Sequence, residues 1–253
     1  MYDDFSADYD RFIDWEARLS AELPFIEQQL QTADAHSVLD VACGTGMHTI
    51  ALAQKGYEMA GADLSAGMIE RARANAVAAE VDVRFEAVGF GELARTFAPI
   101  NFDALLCLGN SLPHLLTPAD LASALTDFAA CLRPGGLLLI QNRNFDAILK
   151  RRERWMEPQS HREGETEWLF LRFYDFEING TLAFNMVTLQ REGTGSWNQH
   201  ATSTQLWPLR QAELAVALEA AFDDVICYGD MNDVSFDVDH SPNLVVAARR
   251  KSN

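Results

Sequence analysis

The chain has 253 residues, of which 48% are hydrophobic, so it can build one full core without disulfide bonds or a structural metal. Its 37 acidic and 20 basic residues give a net charge of −17, which repels phosphate backbones and argues against a nucleic-acid partner. No apolar run reaches the 18 residues of a membrane span, and the acidic N-terminus does not resemble a secretion signal, so we expect a cytoplasmic protein with no membrane partner.

Strands and helices alternate from the N-terminus to about residue 141. An amphipathic stretch, about residues 9–30, comes first. Apolar periodicity and turn residues then predict strand 38–42, a helix from 46, strand 57–62, a helix from 65, strand 81–86, strand 102–108, helix 118–132 and strand 136–141. Such alternation is typical of a parallel, doubly wound sheet with helices on both faces. The basic cluster at residues 150–154 is interpreted as a solvated helix end.

The pattern changes beyond residue 160. Two long strand-like runs, Trp168–Ile178 and Thr181–Gln190, are joined by Asn179-Gly180, which is a strong hairpin signal. A third run, 203–207, is predicted to extend this antiparallel sheet, and the chain then continues as helix 210–222, strand 224–229 and strand 243–249. The predicted fold class is α/β, with a doubly wound, mostly parallel seven-stranded sheet and an antiparallel β insertion after the fifth strand.

The first strand leads into a glycine turn. From Val38 the sequence reads Val-Leu-Asp-Val-Ala-Cys-Gly-Thr-Gly, which is a buried strand followed by Gly44 and Gly46 before a helix. Glycine allows a backbone conformation and a close ligand approach that a side chain would block. Asp63 ends the second strand, where a carboxylate accepts hydrogen bonds from ribose hydroxyls. These features predict a nucleoside-binding βαβ unit.

Two residues of this unit favour S-adenosylmethionine over NAD. Thr49 occupies the position of the third glycine of a dinucleotide fingerprint. Asp40, just before the loop, would repel a pyrophosphate, whereas the sulfonium and ammonium groups of S-adenosylmethionine meet no such repulsion.

With this motif, Asp63, the Arg133-Pro134-Gly135-Gly136 segment before the fifth strand and the predicted hairpin, the chain resembles class I S-adenosylmethionine-dependent methyltransferases over most of its length. Residues 107–115 and 133–149 look like the matching stretches of glycine N-methyltransferases and glycine/sarcosine methyltransferases. The resemblance implies a Rossmann-like fold, S-adenosylmethionine as cofactor with S-adenosylhomocysteine as product, and no metal. The four cysteines are scattered and lack zinc-site spacing, so we expect them to be reduced.

The motif and the resemblance together give the candidate cofactor-binding residues at strand ends and in the following loops. They are Asp40, Ala42, Gly44, Gly46, Asp63, Leu64, Met68, Val88, Gly89, Phe90, Leu108, Gly109 and Ser111. Tyr9, near the sulfonium, and Arg18, for the cofactor's carboxylate, come from a looser N-terminal alignment. The chain departs from a common class I pattern after the third strand, because no acidic or amide residue follows there for adenine. Val88 and Gly89 are therefore expected to contact adenine through backbone, and Phe90 by packing.

The resemblance also supplies candidates for acceptor binding and catalysis. In that family the asparagine after Leu-Gly at the end of the fourth strand holds the acceptor, and the arginine just past the fifth strand grips its carboxylate; by position these are Asn110 and Arg143. His114 lies nearby and is a candidate base. Each has a structural alternative: Asn110 as a turn cap, Arg143 in an ion pair with Asp146 or Glu167, and His114 as a structural hydrogen-bonding residue.

Domain boundaries follow from the position of the site. Ligands of open α/β sheets bind beyond the carboxyl ends of the strands, where an inserted sheet would cover the pocket. We predict a helical cap over the cofactor site at 1–35, a cofactor-binding core at 36–155 and 208–253, and a substrate-side insertion at 156–207. Because the long N-terminal arm of glycine N-methyltransferases is absent, their tetramer is not expected, and a homodimer remains open.

The resulting functional hypothesis is a methyltransferase that acts on a small molecule. The favoured acceptor is the nitrogen of a small amine or amino acid of the glycine and sarcosine type. Two alternatives stay open. One is an O-methyltransferase of another small metabolite or natural product. The other is a protein that binds the cofactor without turnover.

Overall fold

The computed structural model describes residues 9–252, so the ends of the predicted cap and core, 1–8 and 253, lie outside the described residues. From residue 13 onward the helices are α1 (Trp15–Thr32), α2 (Met47–Gln54), α3 (Ala66–Ala78), α4 (Leu93–Phe97), α5 (Pro118–Cys131), α6 (Phe145–Arg151) and α7 (Gln211–Leu218), with a 3₁₀ helix at Leu112–His114. The strands are β1 (Ser37–Asp40), β2 (Glu58–Asp63), β3 (Arg84–Ala87), β4 (Phe102–Cys107), β5 (Leu132–Arg143), β6 (Gln159–Glu163), β7 (Thr166–Phe176), β8 (Leu182–Glu192), β9 (Asn198–Leu206), β10 (Phe222–Tyr228) and β11 (Asn243–Arg250).

Seven strands form one sheet in the order β10-β11-β5-β4-β1-β2-β3. Strands β1 to β5 run parallel to one another. Strand β11 pairs antiparallel with both β5 and β10. The predicted seven-stranded, mostly parallel sheet is confirmed. Because the direction of strand order reverses between β1 and β4, their carboxyl ends open a crevice of the kind in which such sheets bind ligands.

The central strands are buried on both faces, as their continuous apolar runs predict. Residues 104–107 of β4 and 138–140 of β5 are fully buried. Side chains of α5 and α7 cover one face of the sheet, and side chains of α1, led by Phe25, Ile26 and Leu30, cover the other. None of the helices within residues 9–252 is both long enough and apolar enough to cross a membrane. The same residues contain no cluster of three or more His, Cys, Asp or Glu side chains arranged to hold a metal ion.

The insertion forms a separate antiparallel sheet in the order β6-β7-β8-β9. The predicted hairpin is confirmed: β7 and β8 pair from Phe176 and Leu182 outward, and Gly180 in the turn has a φ of +87°. Strand β6 was not predicted, and β9 begins five residues before the predicted run at 203. Both segments are rich in polar residues because their side chains face solvent on this open sheet.

Several predicted boundaries are wrong, each for a local reason. The Arg133–Gly136 segment lies inside β5 as an irregularity, because Leu132 pairs with Phe102 whereas Leu137 pairs with Ala104. Strand β3 begins at 84 rather than 81, since the Val81 N–H closes the end of α3. Helix α7 ends at 218 rather than 222, α4 and the 3₁₀ helix were not predicted, and of α6 only the end was predicted, from the basic cluster. The basic cluster does lie at the exposed end of α6.

Candidate active site

A cavity of about 540 Å³ opens beyond the carboxyl ends of β1, β2 and β4. Most of the predicted cofactor-binding residues line it, namely Tyr9, Arg18, Asp40, Ala42, Gly44, Asp63, Leu64, Met68, Gly89, Phe90, Leu108, Gly109 and Ser111, together with His114. Gly46, Val88, Asn110 and Arg143 are not among the residues that line it.

The loop after β1 is shaped around Asp63. One carboxylate oxygen of Asp63 accepts a hydrogen bond from the Gly44 N–H and the other from the Ser65 N–H, each at 2.9 Å. Gly44 has a φ of +54°, which favours glycine, and a Cβ added there would lie 3.6 Å from the Tyr9 ring. The missing side chain therefore keeps the space between the loop and Tyr9 open.

Two residues predicted to contact the cofactor pack against the core next to the cavity, and their contact with the cofactor stays a prediction. Gly46 begins α2 with a φ of +81°, and a Cβ there would lie 3.0 Å from Ala72 and from the Phe85 ring. Val88 is buried among core side chains, while its N–H donates to the Asp63 carbonyl oxygen at 2.9 Å. Both residues therefore support the cavity wall through their packing against core side chains.

Asp40 is buried at the end of β1 with one oxygen unpaired. Thr49 donates its hydroxyl hydrogen to Oδ2 at 2.9 Å, whereas Oδ1 has no hydrogen-bond partner among the described residues. Burial raises the pKa of Asp40 to about 6, against the lowering effect of His48 and Thr49. Thr49, which occupies the position of the third glycine of a dinucleotide fingerprint, thus orients the side chain of Asp40.

Arg18 reaches the cavity from α1 as part of a hydrogen-bonded chain. Its Nε donates to both oxygens of Glu22 at 3.1 Å, and Glu22 lies 2.6 Å from Nε2 of His48. Burial opposes the ionisation of Glu22, but the hydrogen bonds and charges of His48 and Arg18 outweigh it, and the pKa of Glu22 is lowered. Glu22 therefore fixes Arg18 at the cavity wall with its Nε already engaged.

An apolar wall lies beyond β2 and β3. Leu64 is 81% exposed, which is unusual for a large apolar side chain at a cavity. Phe90 packs edge-on against Phe128 with 5.1 Å between ring centroids, and Met68 is buried. A Cβ at Gly89 would lie 3.0 Å from Leu64, so glycine leaves room for that side chain. These surfaces offer packing to a flat ligand.

The loop after β4 is tied to the end of β5. The Gly109 N–H donates to the side-chain oxygen of Gln141 at 2.8 Å, and the Asn110 N–H donates to the Gln141 carbonyl oxygen at 3.0 Å. Asn110 adopts a left-handed conformation with a φ of +67°, which asparagine tolerates. Its Oδ1 accepts the Arg143 N–H at 2.9 Å. The Asn110 side chain therefore holds the backbone of Arg143 in place, which is close to the turn-capping role considered from the sequence.

The guanidinium of Arg143 has no acidic partner among the described residues. Its Nε is buried and makes no hydrogen bond. The ion pairs considered from the sequence are not formed, because Asp146 accepts the Gln211 N–H at 3.0 Å and Glu167 pairs with Arg191 at 2.7 Å. Arg143 thus presents an unneutralised cation beside the loop that carries Asn110.

The insertion contributes to the cavity wall. Thr204 in β9 lines the cavity, and the Trp207 N–H donates to the Pro113 carbonyl oxygen at 2.7 Å. His114 follows Pro113 in the 3₁₀ helix, and burial lowers its pKa to about 4. Its imidazole is therefore neutral at pH 7.

Comparison with known proteins shows the family to which the chain belongs. Residues 38–136 match the family described as methyltransferase domain. The glycine/sarcosine N-methyltransferase of Aphanothece halophytica is 32% identical over 196 residues, 74% of this chain and 74% of that protein. The chain belongs to the S-adenosylmethionine-dependent methyltransferases. The predicted family and enzyme class are thereby confirmed.

Other relatives of this methyltransferase agree. The glycine/sarcosine N-methyltransferase of Parasynechococcus marenigrum (strain WH8102) is 40% identical over 148 residues, 58% of this chain but only 52% of that protein, so the alignment spans about half of that relative. Two solved structures share the fold. An S-adenosylmethionine-dependent methyltransferase from Clostridium acetobutylicum ATCC 824 has a TM-score of 0.77 at 15% identity and covers 99% of each chain. The sugar N-methyltransferase KedS8 from Streptoalloteichus sp ATCC 53650 has a TM-score of 0.73 at 20% identity and covers 99% of this chain and 93% of its own.

Some residues that line the cavity of this methyltransferase were not predicted. They are Trp15, Val41, Cys43, His48, Ser65, Leu115 and Thr204. Ser65 could have been found, because it follows Asp63 and caps α3 with its side chain. His48 and Thr204 have no comparable feature in the sequence, since the residues that they meet in the cavity lie far from them along the chain.

The unpaired oxygen of Asp40 gives the methyltransferase a predicted pH dependence. We expect affinity for S-adenosylhomocysteine to fall about tenfold between pH 7.5 and about pH 5, because protonation through a pKa near 6 removes the negative charge that attracts the ligand's ammonium group. Calorimetric titration across this range measures the effect. Asp40→Asn should bind about tenfold more weakly at pH 7.5 and lose the pH dependence, whereas Asp82→Asn, at an exposed site, should behave as wild type.

The same group makes a prediction for the ligand-free protein. Because the folded-state pKa of Asp40 lies above the unfolded value, the native state binds more protons between about pH 4 and 6, and its stability falls as pH rises through that window. Asp40→Asn should therefore raise the melting temperature above pH 6 while weakening ligand binding. A lower melting temperature with unchanged affinity would show that Asp40 serves the fold alone.

Proposed function

We propose that this methyltransferase transfers a methyl group to the nitrogen of a small amino acid, of the glycine and sarcosine type, whose carboxylate binds Arg143. The observation that carries the proposal is the half-buried guanidinium of Arg143, which has a buried, unpaired Nε and no acidic partner among residues 9–252. A cation in this setting is stabilised by an anion that a ligand brings, and a carboxylate matches its planar fork. The two glycine/sarcosine N-methyltransferase relatives support the same class of acceptor.

The residues of the cavity fit S-adenosylmethionine, which supplies a methyl group on a positively charged sulfur when bound. The unpaired, buried Oδ1 of Asp40 suits the ammonium group. Asp63 would bind the ribose hydroxyls, because a carboxylate offers about four lone-pair sites and its two oxygens accept backbone hydrogen bonds from Gly44 and Ser65. The exposed Leu64 and the ring of Phe90 offer two apolar surfaces that would hold adenine. Arg18, with its Nε held by Glu22, would bind the cofactor's carboxylate.

Catalysis in this proposal is mainly alignment of the acceptor. The Oδ1 of Asn110, which already accepts the Arg143 N–H, has a second lone pair to accept an N–H of the amine, and this turns the nitrogen lone pair toward the methyl group. The carbon–nitrogen bond forms as the carbon–sulfur bond breaks, and the product nitrogen releases a proton to solvent. Tyr9 and the insertion shield the site from bulk water, which favours this displacement. His114, with a pKa near 4, is a weak base and contributes a neutral wall.

The proposal is tested by methyl transfer from isotope-labelled S-adenosylmethionine to a panel of acceptors, with products identified by mass spectrometry. Glycine, sarcosine and dimethylglycine are set against methylamine, an amino sugar and a phenol. We expect N-methylated amino acids. Product on the amino sugar or phenol alone would keep the methyltransferase and discard the amino-acid acceptor. Tight cofactor binding with no product on any acceptor would instead favour a binding protein without turnover.

A further inference from the structure

The insertion carries a second arginine that the sequence analysis did not single out. Arg172 lies in β7 between Phe170 and Tyr174, and the alternation of a strand places these three side chains on one face of the sheet. That face is covered, since Phe170 is fully buried and Tyr174 is 3% exposed. A positive charge among buried aromatic rings costs free energy unless an anion compensates it.

Arg172 has no compensating anion in the described part of the chain. Its Nε is buried and has no hydrogen-bond partner. The guanidinium stacks on the Phe12 ring, with its central carbon 4.5 Å from the ring centroid. Burial, with the positive charge of Arg143 as the next cause, lowers the pKa of Arg172 to about 10. The side chain therefore stays charged at pH 7 without a neutralising carboxylate.

Two other arginines, Arg191 in β8 and Arg154 just before β6, are neutralised. Arg191 pairs with Glu167 at 2.7 Å, and Arg154 pairs with Asp175 at 2.7 Å. Arg154 also stacks on an aromatic ring, as Arg172 does, but it has its carboxylate as well. Cation–π stacking alone is worth about 0.5–2 kcal/mol, less than the cost of burying an unpaired charge. The packing of Arg172 on Phe12 thus does not explain its position.

Arg172 and Arg143 converge on one ring. Burial raises the pKa of Tyr174 to about 12, and the positive charges of Arg143 and Arg172 both act to lower it, so both lie close to its hydroxyl. The Tyr174 ring packs against Phe145, two residues after Arg143, with 6.2 Å between centroids. Tyr9, which lies against the cofactor loop, also acts electrostatically on Arg172. The two guanidinium groups therefore lie within electrostatic range of each other and of Tyr174, and Tyr9 connects Arg172 to the cofactor cavity.

We propose that Arg172 is a second specificity-determining residue, and that its guanidinium and that of Arg143 hold the same carboxylate of the acceptor from two sides. This inference rests on the proposed function. A carboxylate has two oxygens with about four lone-pair sites, enough for two planar forks. It also supplies the negative charge that relieves the repulsion between the two cations. Amines that lack an oxyanion leave that repulsion in place and are selected against.

The test measures acetate binding and methyl transfer separately. Acetate is titrated into the protein saturated with S-adenosylhomocysteine, and the Michaelis constant for glycine or sarcosine is measured in parallel. Arg172→Met should raise both the acetate dissociation constant and the Michaelis constant by about 10- to 100-fold, with a smaller change in kcat. Arg154→Met, which alters an arginine paired with Asp175 of the same strand, should change neither, and S-adenosylhomocysteine affinity should stay at the wild-type value in both variants.

The outcomes separate this inference from the proposed function. Amino-acid methylation by wild type, with acetate affinity unchanged in Arg172→Met, overturns the role of Arg172 and leaves the function standing. Acetate binding that depends on Arg172, without methylation of any amino acid, overturns the function and leaves the two-arginine site standing. Absence of acetate binding in wild type overturns the site. If Arg172→Met does not fold, Arg172→Lys decides, because it keeps the charge but loses the fork: an intermediate loss supports the proposal, and wild-type acetate affinity contradicts it.

Discussion

Replacing Asp63 with alanine is expected to weaken S-adenosylhomocysteine binding by about 100-fold or more. Each charge-assisted hydrogen bond that the carboxylate accepts from a ribose hydroxyl is worth about 1.5–3 kcal/mol, and tenfold in affinity is about 1.4 kcal/mol. The same carboxylate holds the N–H groups of Gly44 and Ser65 at 2.9 Å, so its loss also loosens the loop that the ligand must contact. Calorimetric titration of wild type and variant gives the two dissociation constants.

Asp103→Ala is the matched control for this prediction. Asp103 accepts hydrogen bonds from the N–H groups of His36 and Ser37 at 2.9 Å and pairs with Arg133 at 2.5 Å, at the amino ends of β1 and β4. These bonds hold its pKa well below the usual range in spite of partial burial. The variant should lose stability but keep its affinity for S-adenosylhomocysteine. Equal affinity losses in both variants would mean that Asp63 acts through the fold and not through the ligand.

Replacing Arg143 with methionine is expected to raise the Michaelis constant for a carboxylate-bearing acceptor by about 100-fold. The variant removes a bidentate charge-assisted pair in a half-buried setting, which is worth about 2–3 kcal/mol. The Arg143 backbone N–H remains to hold Asn110, so the loop geometry should persist. Steady-state kinetics at saturating cofactor separate the Michaelis constant from kcat, and S-adenosylhomocysteine affinity should be unchanged.

Two further variants sharpen this prediction. Arg143→Lys keeps the charge but loses the planar fork, so the Michaelis constant should recover only in part. Arg133→Met changes an arginine at the opposite end of the same strand, where it pairs with Asp103, and should leave the acceptor's Michaelis constant at the wild-type value. A wild-type Michaelis constant in Arg143→Met would remove the carboxylate clamp from the mechanism.

The cofactor half of the site was predictable because its constraints are local. A buried strand, two glycines with positive φ and a carboxylate after the next strand occupy one short stretch of chain, and each has a physical signature in the sequence. The alternation of strands and helices likewise predicted the parallel sheet, and Asn179-Gly180 predicted the position of the hairpin, although the observed pairing of Phe176 with Leu182 differs by one residue from that of a two-residue turn. Gly46 and Val88 do not line the cavity, and their contact with the cofactor stays a prediction, because a motif does not distinguish a residue that lines a pocket from one that supports it.

The acceptor half was less predictable because it is assembled from distant segments. Thr204 reaches the cavity from β9, and Arg172 meets the end of β5 only through the fold of the insertion. Strands β6 and β9 present polar residues to solvent, so their composition resembles that of loops. Period-two alternation in β7 does place Arg172 on the same face as Phe170 and Tyr174. The sequence does not show, however, that the buried Nε of Arg172 has no hydrogen-bond partner among the described residues.

The most direct test of the central claim is the ratio of kcat/KM for glycine to that for glycinamide, measured with the wild-type methyltransferase at saturating S-adenosylmethionine. The two acceptors share a primary amine and nearly the same shape, and they differ in the carboxylate that Arg143 is proposed to bind. Both are assayed at one pH, and each rate is corrected to the concentration of the unprotonated amine. A preference for glycine of about 100-fold or more is the expected result. Equal rates, or a preference for the amide, would contradict an acceptor site built around a carboxylate.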